Sequence, residues 1–194
     1  MRHRGFTLTE LLIALAIVGM VVAFSMPAFH GMRNRAAIAS ASNELRGIFR
    51  LAASRAIARG RNSGVKFFQS GSRWEFAVYD DMDGDGVRND DIDKGIDKRA
   101  TMRRAVFLES RVVTIGLPSF AIRDPDGDTI APTKLPVQFG SSTICSFSPV
   151  GESTPGTIYL IGGTGEIWAA RVSPLNARSR LLRYDTTTRK WSDR

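Results

Sequence analysis

The sequence predicts an α+β fold: one long amino-terminal helix, hydrophobic at first and amphipathic later, followed by an antiparallel β domain. Three observations predict it. An uncharged stretch runs from Leu11 to Met32, and from Leu11 to Phe24 it holds only apolar residues and Gly19. From Arg33 to Gly60 the apolar residues recur at helical intervals. After Gly60 the period changes to two, and Gly-rich turns separate short β-branched and aromatic runs.

The chain opens on the short basic run Met1-Arg2-His3-Arg4-Gly5. At 1.5 Å per residue, a helix from Phe6 to Ala28 would be about 34 Å long, enough for a hydrocarbon core of about 30 Å. Arg2 and Arg4 precede it, so the positive-inside rule places the start in the cytoplasm and the body outside. A secretory signal peptide cut near Val21-Val22-Ala23 is the simplest alternative. Glu10 argues against it, because a carboxylate near the head of a membrane segment is costly and calls for a partner. Pro27 is expected to kink or loosen the helix.

In the second stretch Ile38, Ala41, Leu45, Ile48 and Ala52 form one stripe, with Glu44, Arg46 and Arg50 on other faces. Gly60 suits a C-terminal cap. Ala36, Ala37, Ala39 and Ala41 would permit close helix packing. Strands are expected at 65–68 and 74–79 around Ser70-Gly71-Ser72, then at 105–108, 111–115, 137–139 and 143–147. A second hairpin joins 157–161 to 166–172 through Gly162-Gly163-Thr164-Gly165, and a last strand covers 180–184. There is no internal repeat or low-complexity segment.

The 194 residues suit one domain, and 43% hydrophobic with 24% charged residues excludes a disordered chain. One cysteine excludes a disulfide or a cysteine-based zinc site, and two histidines, His3 and His30, leave little for a triad or a metal centre. Cys145, in an apolar strand, reads as a buried inert thiol. A secreted hydrolase would need a nucleophile–base pair that the sequence does not offer, so the chain reads as non-enzymatic, with no required cofactor.

The net charge of +8 is uneven. Residues 30–61 carry +6, 62–104 carry −1, 105–170 carry −3 and 171–194 carry +5. Two basic segments therefore flank an acidic middle, a pattern that favours an anionic partner.

Gly5-Phe6-Thr7-Leu8-Thr9-Glu10-Leu11-Leu12 resembles the processing motif of type IV pilins and type II secretion pseudopilins. The resemblance implies that a prepilin peptidase cuts after Gly5 and methylates Phe6. It also implies that Glu10 pairs with the terminal amine of a neighbouring subunit during assembly. Residues 74–85, together with Phe147-Ser148-Pro149-Val150-Gly151 and Pro155-Gly156-Thr157-Ile158-Tyr159-Leu160, resemble the GspH/FimT branch of minor pseudopilins. In that branch two β-sheets pack against the helix. The expected division is a leader over 1–5, a transmembrane and assembly helix over 6–29, an amphipathic helix over 30–61 and a periplasmic β domain over 62–194. Other pilins or pseudopilins, the prepilin peptidase and the inner membrane are the implied partners, with the protein ending in a pilus or pseudopilus at or near its tip.

Two further patterns carry chemistry. Asp81, Asp83 and Asp85, with Gly86 at the sixth place, resemble the first half of a calcium loop, which Asp91 or Asp93 could complete only with a different wrap. The twelfth position is Ile92 where a bidentate Glu belongs. Turn chemistry is the alternative there and at Asp124-Pro125-Asp126-Gly127-Asp128. In the basic tail, Arg178 and Arg180 share one side of an extended strand at about 7 Å, while Leu181-Leu182 turn Arg183 elsewhere. FimT-type minor pilins bind DNA through a carboxyl-terminal Gly-Arg-x-Arg, and the stretch here is Ala177-Arg178-Ser179-Arg180. The resemblance makes Arg178, Arg180 and Arg183 candidate DNA contacts, with Tyr184 and Trp191 as candidate stacking residues. Solvated arginines in intersubunit salt bridges are the competing reading.

Overall fold

The computed structural model describes residues 7–71, 73–106, 112–175 and 178–193, without the side chains of 25–30. Helix α1, Leu8–Arg59, passes through Pro27 without interruption. It ends at Gly60, whose φ of 61° is the left-handed conformation that a helix cap requires. Residues 1–36 and 37–194 form separate units. In the first, every described side chain from Thr7 to Phe24 is exposed.

In the second unit the expected stripe is buried: Ile38, Ala41, Leu45, Ile48 and Ala52, joined by Phe49 and Ala56. These residues share one core with two antiparallel sheets. The first sheet holds β1 (Ser63–Ser70), β2 (Arg73–Asp80), β3 (Lys98–Arg99), β4 (Arg104–Ala105) and β9 (Ile144–Phe147), in the order β3-β2-β1-β9 with β4 also on β2. β1 and β2 pair from Ser63↔Asp80 to Ser70↔Arg73 through a turn at Gly71.

The second sheet holds β5 (Val113–Ile115), β8 (Val137–Phe139), β10 (Gly156–Gly162), β11 (Ile167–Val172), β12 (Ser179–Asp185) and β13 (Lys190–Asp193). Its order is β13-β12-β11-β10-β5, with β8 also on β10. A two-stranded ribbon, β6 (Ile122–Arg123) and β7 (Thr129–Ile130), stands apart from both sheets.

Phe49 joins the helix to both sheets. Its ring lies 6.2 Å from Phe67 of β1 and 6.1 Å from both Phe139 of β8 and Phe147 of β9. At the helix end, Arg55 donates from Nε to Asp80 Oδ1 at 3.2 Å and from its terminal nitrogen to Oδ2 at 2.6 Å. Ser63 also donates to Asp80. Gly156 is required by close approach: a Cβ there would stand 2.3 Å from the Gln138 carbonyl oxygen.

The sequence expectation missed several short elements. Helix α2, Asn89–Asp93, follows the acidic loop where no helix was expected. The β6–β7 ribbon and β13 were also unforeseen. Residues 107, 108 and 111 of the expected strands lie outside the described residues.

Candidate functional site

The amino-terminal site is built on Thr7 and Glu10. Gly5 and Phe6 lie outside the described residues. Thr7 stands just before α1, and its N–H donates to Glu10 Oε2 at 3.0 Å, as does its hydroxyl at 2.8 Å. The Glu10 N–H donates in return to the Thr7 hydroxyl at 3.4 Å. This is a capping box, Thr-x-x-Glu, in which each side chain satisfies the other's backbone donor. The Thr-x-x-Glu signal stands in Thr7-Leu8-Thr9-Glu10, where it overlaps the processing motif. In the single chain, the Glu10 carboxylate therefore holds its own helix start.

Beyond Glu10 the helix exposes Leu11, Leu12, Ile13, Leu15, Ile17, Val18, Met20, Val21, Val22 and Phe24, each by more than half. The described apolar run from Leu11 to Phe24 would span about 21 Å as a helix, against about 30 Å of hydrocarbon. Among the described residues no helix is long and apolar enough to cross a membrane.

The acidic loop is largely occupied by its own backbone. Asp81 is buried, and its two carboxylate oxygens accept the N–H groups of Gly84 at 2.7 Å and Gly86 at 2.8 Å, with Asn62 donating at 2.9 Å. Desolvation pushes its pKa up, but these donors outweigh it and hold the carboxyl below its ordinary range. Asp97 closes the loop from the other side, accepting from the N–H groups of Arg88 and Met82. Desolvation leads the upward shift of its pKa, and the charges of Asp81 and Asp83 add to it. Carboxylate oxygens of Asp81, Asp83 and Asp85 lie within 4.8 Å of one another. Asp91 is not in that group; it sits buried in α2, where its carbonyl accepts from Ile96 and Asp97. Asp85 also pairs with Arg88 at 2.6 Å. Asp81 thus makes the contacts of a turn, while the carboxylates of Asp81, Asp83 and Asp85 form the group that the calcium pattern names. At the second acidic turn, Asp124 accepts the N–H groups of Asp126 and Asp128.

The basic tail separates its arginines. Arg178 is exposed just before β12, and Arg180 is exposed with Asp193 3.7 Å away. Arg183 pairs across the strand with Trp168, donates to Glu166 at 3.3 Å and lies over the Trp168 ring. It is thus tied into the sheet. Tyr184 is buried, and Trp191 packs on Tyr184 at 4.9 Å while its indole N–H donates to the Arg123 carbonyl at 2.7 Å. The buried Tyr184 ring is not presented as a platform for a base, which corrects that part of the stacking expectation, and Trp191 is half-buried against it.

Arg178 and Arg180 meet partners from the helix instead. With Ser179 they line one side of an open cleft of about 640 Å³. Arg46, Arg50, Ala53, Ser54 and Ile57 of α1 line the other. Among the described residues Arg46, Arg50 and Arg178 stand in no ion pair. A juxtaposition across more than a hundred residues has no local signal in the sequence. Cys145 is fully buried, and burial pushes its thiol pKa well up, as expected of an inert side chain.

Two protein families match the chain. The prokaryotic N-terminal methylation motif covers residues 1–26. The family described as type II transport protein GspH covers residues 41–176, more than half of the chain, and stops short of Arg178. No curated protein and no solved structure matches.

Proposed function

As the chain belongs to the GspH family of type II transport proteins and carries the N-terminal methylation motif, we propose that it works by assembly, as a processed and membrane-held subunit at or near a filament tip. The family match supports a minor pseudopilin of a type II secretion or type IV pilus system; that family is structural and non-catalytic, and membership in it implies assembly with other pilins or pseudopilins. In the proposed sequence of events, a prepilin peptidase cuts after Gly5 and Phe6 becomes the methylated amino terminus. The apolar part of α1 holds the protein in the inner membrane, with the β domain in the periplasm.

One observation carries this reading. The methylation motif runs straight into a helix that leaves every described apolar side chain from Leu8 to Phe24 exposed. Such a surface is stable only in lipid or against like helices. Glu10 fits the transfer between the two. Its carboxylate is satisfied by Thr7 in the single chain, and the same oxygens can accept from a neighbour's terminal amine, which offsets the cost of a charge at the membrane.

Mass spectrometry of the mature amino terminus tests the processing step. A chain beginning at methylated Phe6 supports it, whereas a chain beginning at Phe24, cut after Ala23, is that of an ordinary secreted protein. Phosphate contacts through Arg178, Arg180 and Arg183 are the alternative for the tail. The ties of Arg183 to Glu166 and Trp168 disfavour the three acting as one site.

A further inference from the structure

The cleft between α1 and the start of β12 gathers four arginines, of which Arg46, Arg50 and Arg178 stand in no ion pair among the described residues, while Arg180 has Asp193 3.7 Å away. Arg46 and Arg50 stand one helical turn apart on one element, and Arg178 and Arg180 flank Ser179 on the other. No carboxylate lines the space between them. Beside the guanidinium groups lies Ile57, 63% exposed, with Ala53 and Ser54. The surface thus combines forked cation donors with a small apolar floor. No aromatic side chain lines it, so bases would find no stacking platform there.

We propose that this cleft is the docking site for a carboxylate-rich segment of an adjoining filament subunit. The inference rests on the reading of the chain as a filament subunit. Packing into a filament removes water from the cleft, and guanidinium groups that lose water without an anion are strongly disfavoured. Arginine binds carboxylates through two parallel hydrogen bonds, which fixes the orientation of the incoming segment. The apolar floor suits a peptide, whose side chains alternate between charged and apolar, better than a sugar–phosphate chain. The fold itself presents a segment of the required kind: Asp83, Asp85, Asp90 and Asp93 are exposed along the loop and short helix of residues 81–93.

The test uses the full chain in detergent micelles and two labelled probes: a peptide with the sequence of residues 81–93, and duplex DNA. Arg50→Glu with Arg178→Glu reverses the cleft, and Arg50→Lys with Arg178→Lys keeps its charge but removes the forks. These side chains are exposed and unpaired, so the variants fold. The expected result is saturable peptide binding that salt weakens, falling at least about tenfold on reversal and less in the lysine variant. Duplex binding, if present, is unchanged by the cleft substitutions. Absence of saturable peptide binding overturns the proposal, as does peptide binding indifferent to reversal. Loss of duplex binding in the reversed variant, with the peptide unbound, makes the cleft a phosphate site instead. Recovery of the wild-type chain in sheared filaments is scored separately, so failure of the filament reading and failure of the docking site give different results.

Discussion

Truncating Phe49 to Ala tests how the helix is seated. Phe49 is fully buried, and three further rings surround it, from β1, β8 and β9. Phe→Ala changes in cores cost about 3–5 kcal/mol, with the larger values where the surroundings cannot collapse into the space. Here the neighbouring rings sit on strands of two different sheets, each fixed by its own ladder. Collapse would have to move both sheets, so the cost is expected near the upper end, about 4 kcal/mol. For a chain of this size that lowers Tm by roughly 8–16 °C. Urea unfolding of the full chain in detergent, followed by fluorescence of Trp74 and Trp168 in the same core, measures it. Leu51→Ala is the control: Leu51 is two residues along the helix and 43% exposed, so its loss should stay below about 1 kcal/mol. Equal effects of the two substitutions would refute the reasoning, since they would mean that the helix is not held through Phe49.

Two further outcomes follow from single contacts. Desolvation raises the Asp80 pKa, but the hydrogen bonds and charge of Arg55, with Ser63 and Arg59, win and hold it below its ordinary value. A carboxyl with a folded pKa below the unfolded one contributes stability that is present above the unfolded pKa and lost as pH falls through the folded pKa. Asp80→Asn should therefore destabilise by roughly 1–3 kcal/mol at neutral pH, and the gap from wild type should close below about pH 4. Denaturation midpoints across pH check this, and a gap independent of pH would refute it. Gly156→Ala should destabilise by at least about 1–3 kcal/mol, because the added Cβ meets backbone and the Phe139 ring at 2.3 Å. Thermal unfolding measures this, and a Tm unchanged from wild type would show that β8 and β10 are free to separate.

Long periodic segments were legible because their signal is local. The stripe from Ile38 to Ala52 named the buried face of α1, and Gly60 named its end. The strands of the β1–β2 and β10–β11 hairpins lie within a residue or two of the expected places, since alternation and Gly turns fix them. β3, β6 and β7 have two residues each, too short for any period to show. Helix α2 is made of Asp-rich sequence that locally favours turns, and backbone contacts with Asp97 on the far side hold that loop. The candidate sites divide the same way. Glu10 stands out as a charge in an apolar segment, and the Thr-x-x-Glu spacing that starts at Thr7 carries the capping box. That Arg178 faces Arg46 and Arg50 depends on sheet order and helix seating together, which no local pattern encodes. Tyr184 does not serve as a stacking residue because the β6–β7 ribbon, itself unforeseen, supplies Ile122 and Ile130 to the cluster that buries it, with Trp191 packed half-buried at its edge.

Incorporation into a filament tests the central claim most directly. Sheared surface or periplasmic filaments from cells producing the wild-type chain, or its Glu10→Gln variant, are collected and the chain is identified by mass spectrometry. Assembly by this route predicts the wild-type chain in the filament fraction, beginning at methylated Phe6. The variant should be cut at the same place yet remain in the membrane fraction. A wild-type chain absent from filaments, or a variant that enters them equally well, would contradict an assembly role that runs through Glu10.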